Sequence, residues 1–119
     1  MNNVYLIAYE LRNPDSIKNQ DSIANAIKSI SGDWWHHLGS VWLVAGNELS
    51  AYEIGRKVGP YFKTTGANPE DSFFIVKLDL ESPDPVVAGF LPKPAWDWLR
   101  SKRTGAALPT VPPKAQAER

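Results

Sequence analysis

The apolar positions of this chain follow two rhythms, one of strands and one of helices. Val4-Tyr5-Leu6-Ile7-Ala8-Tyr9-Glu10-Leu11 is β-prone and apolar almost without a break. A strand with one wet face would alternate, so this continuity predicts a central strand covered on both faces. Arg12-Asn13-Pro14-Asp15-Ser16 is turn chemistry and ends it. Ile23, Ile27 and Ile30 then recur at helical spacing. They predict a helix capped by Asp21 or Ser22 and stopped by Ser31-Gly32. Ser16 to Gln20 reads as loop or as an earlier helical turn.

The stretch Trp34-Trp35-His36-His37-Leu38-Gly39-Ser40-Val41-Trp42-Leu43-Val44 holds three of the five tryptophans and both histidines. Rings this large are costly to leave in water and must pack. Gly39-Ser40 interrupts the run, which predicts one strand near 34–38, a tight bend, and a second strand near 41–45. Ser50-Ala51-Tyr52-Glu53 is a capping box that opens a helix. Ile54, Val58 and Tyr61 or Phe62 share one face of it. Gly55 and Gly59 weaken this helix by roughly 1 kcal/mol each relative to alanine, unless they permit close packing on the sheet. Thr64 to Pro69 is a loop. Phe74, Val76, Leu78 and Leu80 alternate with Ile75, Lys77 and Asp79, which marks a last main strand.

The order is β-α-β-β-α-β, the ferredoxin-like pattern. It predicts an α+β fold in which a four-stranded antiparallel sheet carries two helices on one face. The other face is then open, and Trp35 or Trp42 on it forms an apolar patch of the kind that meets a partner. Beyond this core, expected over 1–81, lies an extension over 82–103. Ser82-Pro83-Asp84-Pro85 is a linker, Gly89 to Pro92 suits a short edge strand, and Lys93 to Ser101 suits a short helix. In that helix Ala95, Trp96 and Leu99 share a face while Trp98 points elsewhere. From Thr104 the chain is Pro/Ala-rich and expected to be disordered.

Composition narrows the chemistry. There is no cysteine, so disulfides and zinc-thiolate sites are excluded. Net charge is zero but uneven. Residues 1–99 hold eight Lys/Arg against twelve Asp/Glu, whereas residues 100–119 hold five against one. A mildly acidic body argues against broad phosphate binding, although not against a local site. No basic-then-apolar leader opens the sequence and no apolar run approaches ~20 residues, so the expectation is a cytoplasmic protein without a membrane span.

Several residues are candidates for chemistry. Glu10 ends the central strand, where a ligand or metal can reach it. In a homodimer across the open face, two copies of Glu10 can approach and share a divalent ion. The plainer reading is that Glu10 meets a Lys or Arg at the strand end. Adjacent strand residues point to opposite faces, so His36 and His37 cannot ligate one metal in regular β geometry. One of them can act as a base or touch a nucleotide, against the plainer reading of a hydrogen-bonded surface histidine. Ser40 suits the bend, and no Ser-His-Asp signature frames it. Tyr5, Tyr9, Trp35 and Trp42 can stack bases, although aromatics at strand spacing more often build a core or a dimer interface. Arg100-Lys102-Arg103 can touch phosphates or simply form a solvated helix end.

Several of these segments resemble those of a family. Tyr5 to Leu11, Gln20-Asp21, Ile27-Lys28-Ser29, Trp34-Trp35-His36, Ser40 to Val44 and Leu91-Pro92-Lys93-Pro94-Ala95-Trp96-Asp97-Trp98-Leu99 resemble the small bacterial proteins often labelled "SinR family". The resemblance runs over about residues 4–100. More distantly, the layout is similar to the CRISPR-associated "Cas-two" proteins and VapD-type toxins. That resemblance implies a ferredoxin-like homodimer linked to RNA or DNA, with a metal-dependent or degenerate endoribonuclease activity. It implies that Glu10, matching the family's strand-end aspartate, holds a divalent metal (Mg or Mn) near Ser40 and His36. Tyr9, Arg12 and Lys18 would then contact nucleic acid, and Trp35 and Trp42 would form the dimer interface. Glutamate in place of aspartate moves the oxygens by more than an ångström, and Lys18 and Lys28 are the only basic residues near the first helix. The alternative is a non-catalytic homodimeric adaptor or partner-binding module in a toxin or defence system.

Overall fold

A computed structural model describes residues 3–81 and 92–102. The elements in order are β1 (Asn3–Glu10), α1 (Pro14–Lys18), α2 (Gln20–Lys28), β2 (Trp34–Leu38), β3 (Val41–Gly46), α3 (Ala51–Val58), a 3-10 turn (Gly59–Tyr61), β4 (Ser72–Leu78) and α4 (Lys93–Lys102). The strands form one antiparallel sheet in the order β2-β3-β1-β4. This is the ferredoxin-like arrangement, with β1 central as its uninterrupted apolar run requires. The linker at 82–85 and the tail from 104 lie outside the described residues. So does the short strand at 89–92, apart from Pro92, whose carbonyl accepts from the N–H of Ala95 in α4.

The helices differ from expectation at one end. The segment before α2 is helical as α1, whose start is fixed by Asn13 Oδ1 accepting from the N–H of Asp15. Asn19 separates the two helices and serves as the N-cap of α2 without a side-chain cap bond, so neither Asp21 nor Ser22 caps it. The capping box at α3 forms as read, with Ser50 Oγ accepting from Glu53 N–H at 3.1 Å. The sheet does not approach the glycines Gly55 and Gly59 closely enough to require them. A methyl group at Gly55 would meet Ile75 Cδ1 at 3.6 Å, which is ordinary van der Waals contact.

Register assigns the two faces. Ile7 pairs with Trp42 and Ile75, and Tyr5 with Val44. These residues pack with Ile23, Ile27, Ile54, Val58 and Phe62 beneath α2 and α3. Trp42 is therefore core, 1% exposed, and its expected place on the open face is corrected. Every residue from Val41 to Ala45 is apolar, so alternation along β3 carries no face information. The pairing with β1 decides it.

The second face is not bare. Val4, Leu43 and Ala45 pack with Leu80, Trp96 and Leu99, and Trp35 and Leu78 border them. The amphipathic α4, buried through Ala95, Trp96 and Leu99, thus covers one half of this face with the chain's own residues. The other half carries Ala8 paired with Phe74, and at the border Leu6, which packs against the α4 cluster, pairs with Val76. Phe74 is 57% exposed and Val76 is 41% exposed.

Candidate functional site

The C-terminal end of β1, the β2–β3 turn and the α1–α2 segment enclose a polar depression of about 320 Å³. Tyr9, Glu10, Leu11, Ile17, Gln20, Gly39 and Ser40 line it. Antiparallel pairing creates this meeting point, because β1 ends where the β2–β3 turn begins. The Tyr9 N–H donates to the Ser40 carbonyl at 3.1 Å and ties the two together. Glu10 and Ser40 thus line one depression.

Their chemistry is quieter than the resemblance implies. Arg12 Nη2 lies 3.0 Å from Glu10 Oε1, and both side chains are largely exposed. The guanidinium takes one of the two oxygens that a metal would use. Among the described residues no three His, Asp or Glu side chains converge on a point that could hold a metal ion. The residues of a single chain do not fit a divalent metal here.

His36 has a different employment. Its ring stacks on Trp42 at 3.7 Å between centroids, with planes 7° apart. Its Nε2 lies 2.6 Å from the Gly39 carbonyl oxygen. A carbonyl only accepts, so Nε2 carries the proton and is committed to the turn rather than to Ser40. A register shift between His36 and Leu38 marks a bulge at this hairpin end. Tyr9 is equally committed. Its hydroxyl accepts from Trp42 Nε1 at 3.2 Å, and its ring packs against Phe62 at 5.3 Å. Lys18 sits exposed in the last turn of α1 and does not line the depression. Trp35 lies on the second face of the sheet, beside the cluster that includes α4.

Sequence reasoning missed Asp71. It is 4% exposed and lies just before β4. Oδ1 accepts from the N–H groups of Arg12 (2.8 Å) and Asn13 (2.9 Å). Oδ2 accepts from Lys63 N–H (2.8 Å) and from Ser16 Oγ. Burial pushes this carboxyl up, but the bonds from Ser16, Asn13, Lys63 and Arg12 together outweigh it and hold it at about 2. Asp71 thereby fixes the chain that leaves β1 and carries Arg12. Its partners Arg12 to Ser16 lie 55 to 59 residues away, so no local pattern announces it. The turn-forming Asn13-Pro14-Asp15-Ser16 was the only available signal, and it names no partner.

No protein-family model matches the chain, and no curated protein matches it either. Among the described residues no helix is long and apolar enough to cross a membrane.

Proposed function

We propose that the protein is a non-catalytic interaction module that pairs with a second copy of itself through the uncovered half of the second sheet face. One observation carries this reading: Phe74 and Val76 stand exposed on this face beside α4, paired with the half-buried Ala8 and Leu6. Large apolar side chains grouped on a flat sheet surface gain by losing contact with water, and a twofold partner offers the same surface in return. A shallow groove between Ala8, Glu10, Ser72 and Phe74 extends this exposed surface toward the end of β1. The Glu10–Arg12 ion pair would then lie at the polar rim, where charged groups suit an interface.

Light scattering on the full chain tests this. The expected result is a dimer mass for the native sequence and a monomer mass for Phe74→Glu, with the far-ultraviolet spectrum unchanged. A native chain that stays monomeric at high micromolar concentration overturns the reading.

A second reading has one observation in its favour. Glu10 and Ser40 line one depression, with Arg12 bonded to Glu10. That grouping suits contact with a nucleic-acid backbone, and the Glu10 carboxylates of two copies could jointly supply what one chain lacks for Mg or Mn. Manganese-dependent cleavage of single-stranded RNA, abolished by Glu10→Ala, would favour it over the module. Absence of both cleavage and salt-sensitive binding would remove it.

A further inference from the structure

We infer that the proline-rich segment 109–114 of this chain docks in the groove at the uncovered end of its own second sheet face, with Pro112 on Phe74 and Lys114 on Glu10. The inference goes beyond the pairing proposed above, because the groove takes this segment whether or not a second copy binds. The groove measures about 280 Å³ and is lined by Ala8, Tyr9, Glu10, Ser72, Phe73 and Phe74. Ala8 pairs with Phe74 and Glu10 with Ser72, so two neighbouring cross-strand pairs stand on one face. The first pair offers an aromatic ring that is 57% exposed. The second offers a carboxylate of which Arg12, the one described residue bonded to it, takes only Oε1. Aromatic grooves receive polyproline II segments. An acid at the end of such a groove selects a segment that finishes in a cation.

The sequence supplies that segment as Pro109-Thr110-Val111-Pro112-Pro113-Lys114. Three residues per turn set Pro109 and Pro112 on one face of a polyproline II helix. The spacings agree. Pro112 and Lys114 are two residues apart, about 6 Å at the polyproline II rise. The Ala8–Phe74 and Glu10–Ser72 pairs are also two residues apart, about 7 Å along a strand. Reach agrees as well. The helix α4 packs on this same face at the Val4 end. Its last residue, Lys102, bonds Asp33, whose carbonyl accepts from Ala45 N–H at 2.9 Å. From Val4 to Glu10 is six residues of strand, about 20 Å. From Lys102 to Lys114 is twelve residues, a reach of about 37 Å. A chain leaving the Val4 end meets Phe74 before Glu10, just as Pro112 precedes Lys114. Charge points the same way: residues 1–99 hold eight Lys/Arg against twelve Asp/Glu, and residues 100–119 hold five against one. A tether of this kind presents the segment at a local concentration on the order of millimolar, which favours the chain's own segment over any free peptide. Docked there, it covers Phe74 and competes with a second copy for that ring.

The test uses the full chain carrying one nitroxide. There is no native cysteine, so Gln116→Cys takes the label two residues beyond Lys114. Nuclear magnetic resonance of the isotope-enriched chain at low concentration then reads which amides the label quenches. The expected result is loss of most of the signal at residues 8–10 and 72–74, with residues 3–5 retained. Lys114→Glu, and separately Pro109→Ala/Pro112→Ala, should restore the lost signals, and neither substitution touches the described core. Quenching spread evenly over the surface, or quenching that survives Lys114→Glu, overturns the docking. A mixture of nitroxide-bearing chain with enriched chain lacking the label decides whose groove is filled. Silence in the mixture supports the chain's own groove, whereas quenching at 8–10 and 72–74 means that the segment crosses to a second copy and overturns it. The result is separable from the pairing reading. A native monomer with a quenched groove overturns pairing and leaves the docking standing, and a dimer with an unquenched groove does the reverse.

Discussion

The two faces of this sheet are built from the same strands and finished differently. The centre of the first face lies under α2 and α3, and Ile7, Trp42 and Val44 of the sheet with Ile27 and Ile54 of the helices are at most 1% exposed. The second face is closed at one end by α4 and left apolar at the other. Substitutions on the first face should therefore be read out as stability. Substitutions on the open half of the second should be read out as association. The β1 strand, apolar on both sides, serves both faces at once.

Four outcomes sharpen or break this contrast. The largest belongs to Trp42→Ala, which empties a fully buried site and should cost about 3–5 kcal/mol by urea unfolding. A small cost there would mean the first face is not the main core. Asp71→Ala should follow, at about 3 kcal/mol, because it strands the N–H groups of Arg12, Asn13 and Lys63. Its effect also depends on pH. The fold favours the ionised carboxylate, so the resulting stability is fully present above the ordinary value of 3.8 and fades as pH falls toward about 2. That contribution is about 2 kcal/mol by linkage. Urea midpoints taken through this window should drop for the native chain more than for Asp71→Ala.

Gly55→Ala should stabilise by about 0.5–1 kcal/mol, since helix propensity improves and the added methyl meets Ile75 at ordinary contact distance. A loss of stability would show that α3 sits closer to the sheet than the 3.6 Å contact implies. The smallest change in monomer stability is expected for Phe74→Glu, within about 0.5 kcal/mol, because more than half of the ring is already in water. Its effect should appear instead as lost association. If it unfolds the chain, the second face is core throughout and the contrast fails.

Much of the architecture could be read from pattern. The continuous run in β1, the Gly39-Ser40 break between two aromatic strands and the Ser50–Glu53 capping box are local signals, and local signals survive folding. The face that α4 presents through Ala95, Trp96 and Leu99 was also legible from helical spacing. What it packs against was not. Nothing in Lys93 to Lys102 specifies Val4, Leu43 or Asp33 as neighbours, so the second face could only be expected to lie open. The side on which Trp42 lies was hidden because β3 is apolar at every position from Val41 to Ala45. The candidate site was half legible. Glu10 could be set at the end of the central strand and Ser40 at the bend from pattern, but that the two meet was implied only by the resemblance. The competing bonds of His36 to Gly39, Tyr9 to Trp42 and Arg12 to Glu10 depend on side-chain geometry that spacing does not encode.

The pairing surface is the claim that bears most weight, and the sequence offers a direct way to see it. The chain has no cysteine, so Ser72→Cys at the start of β4 accepts a single nitroxide label beside the exposed Phe74. Pulsed electron resonance on the labelled full chain then reports only distances between copies. The account predicts one short, narrow intermolecular distance that vanishes on dilution with unlabelled chain. Absence of dipolar coupling at concentrations where the native chain is a dimer would mean that the copies meet elsewhere, and it would contradict the account.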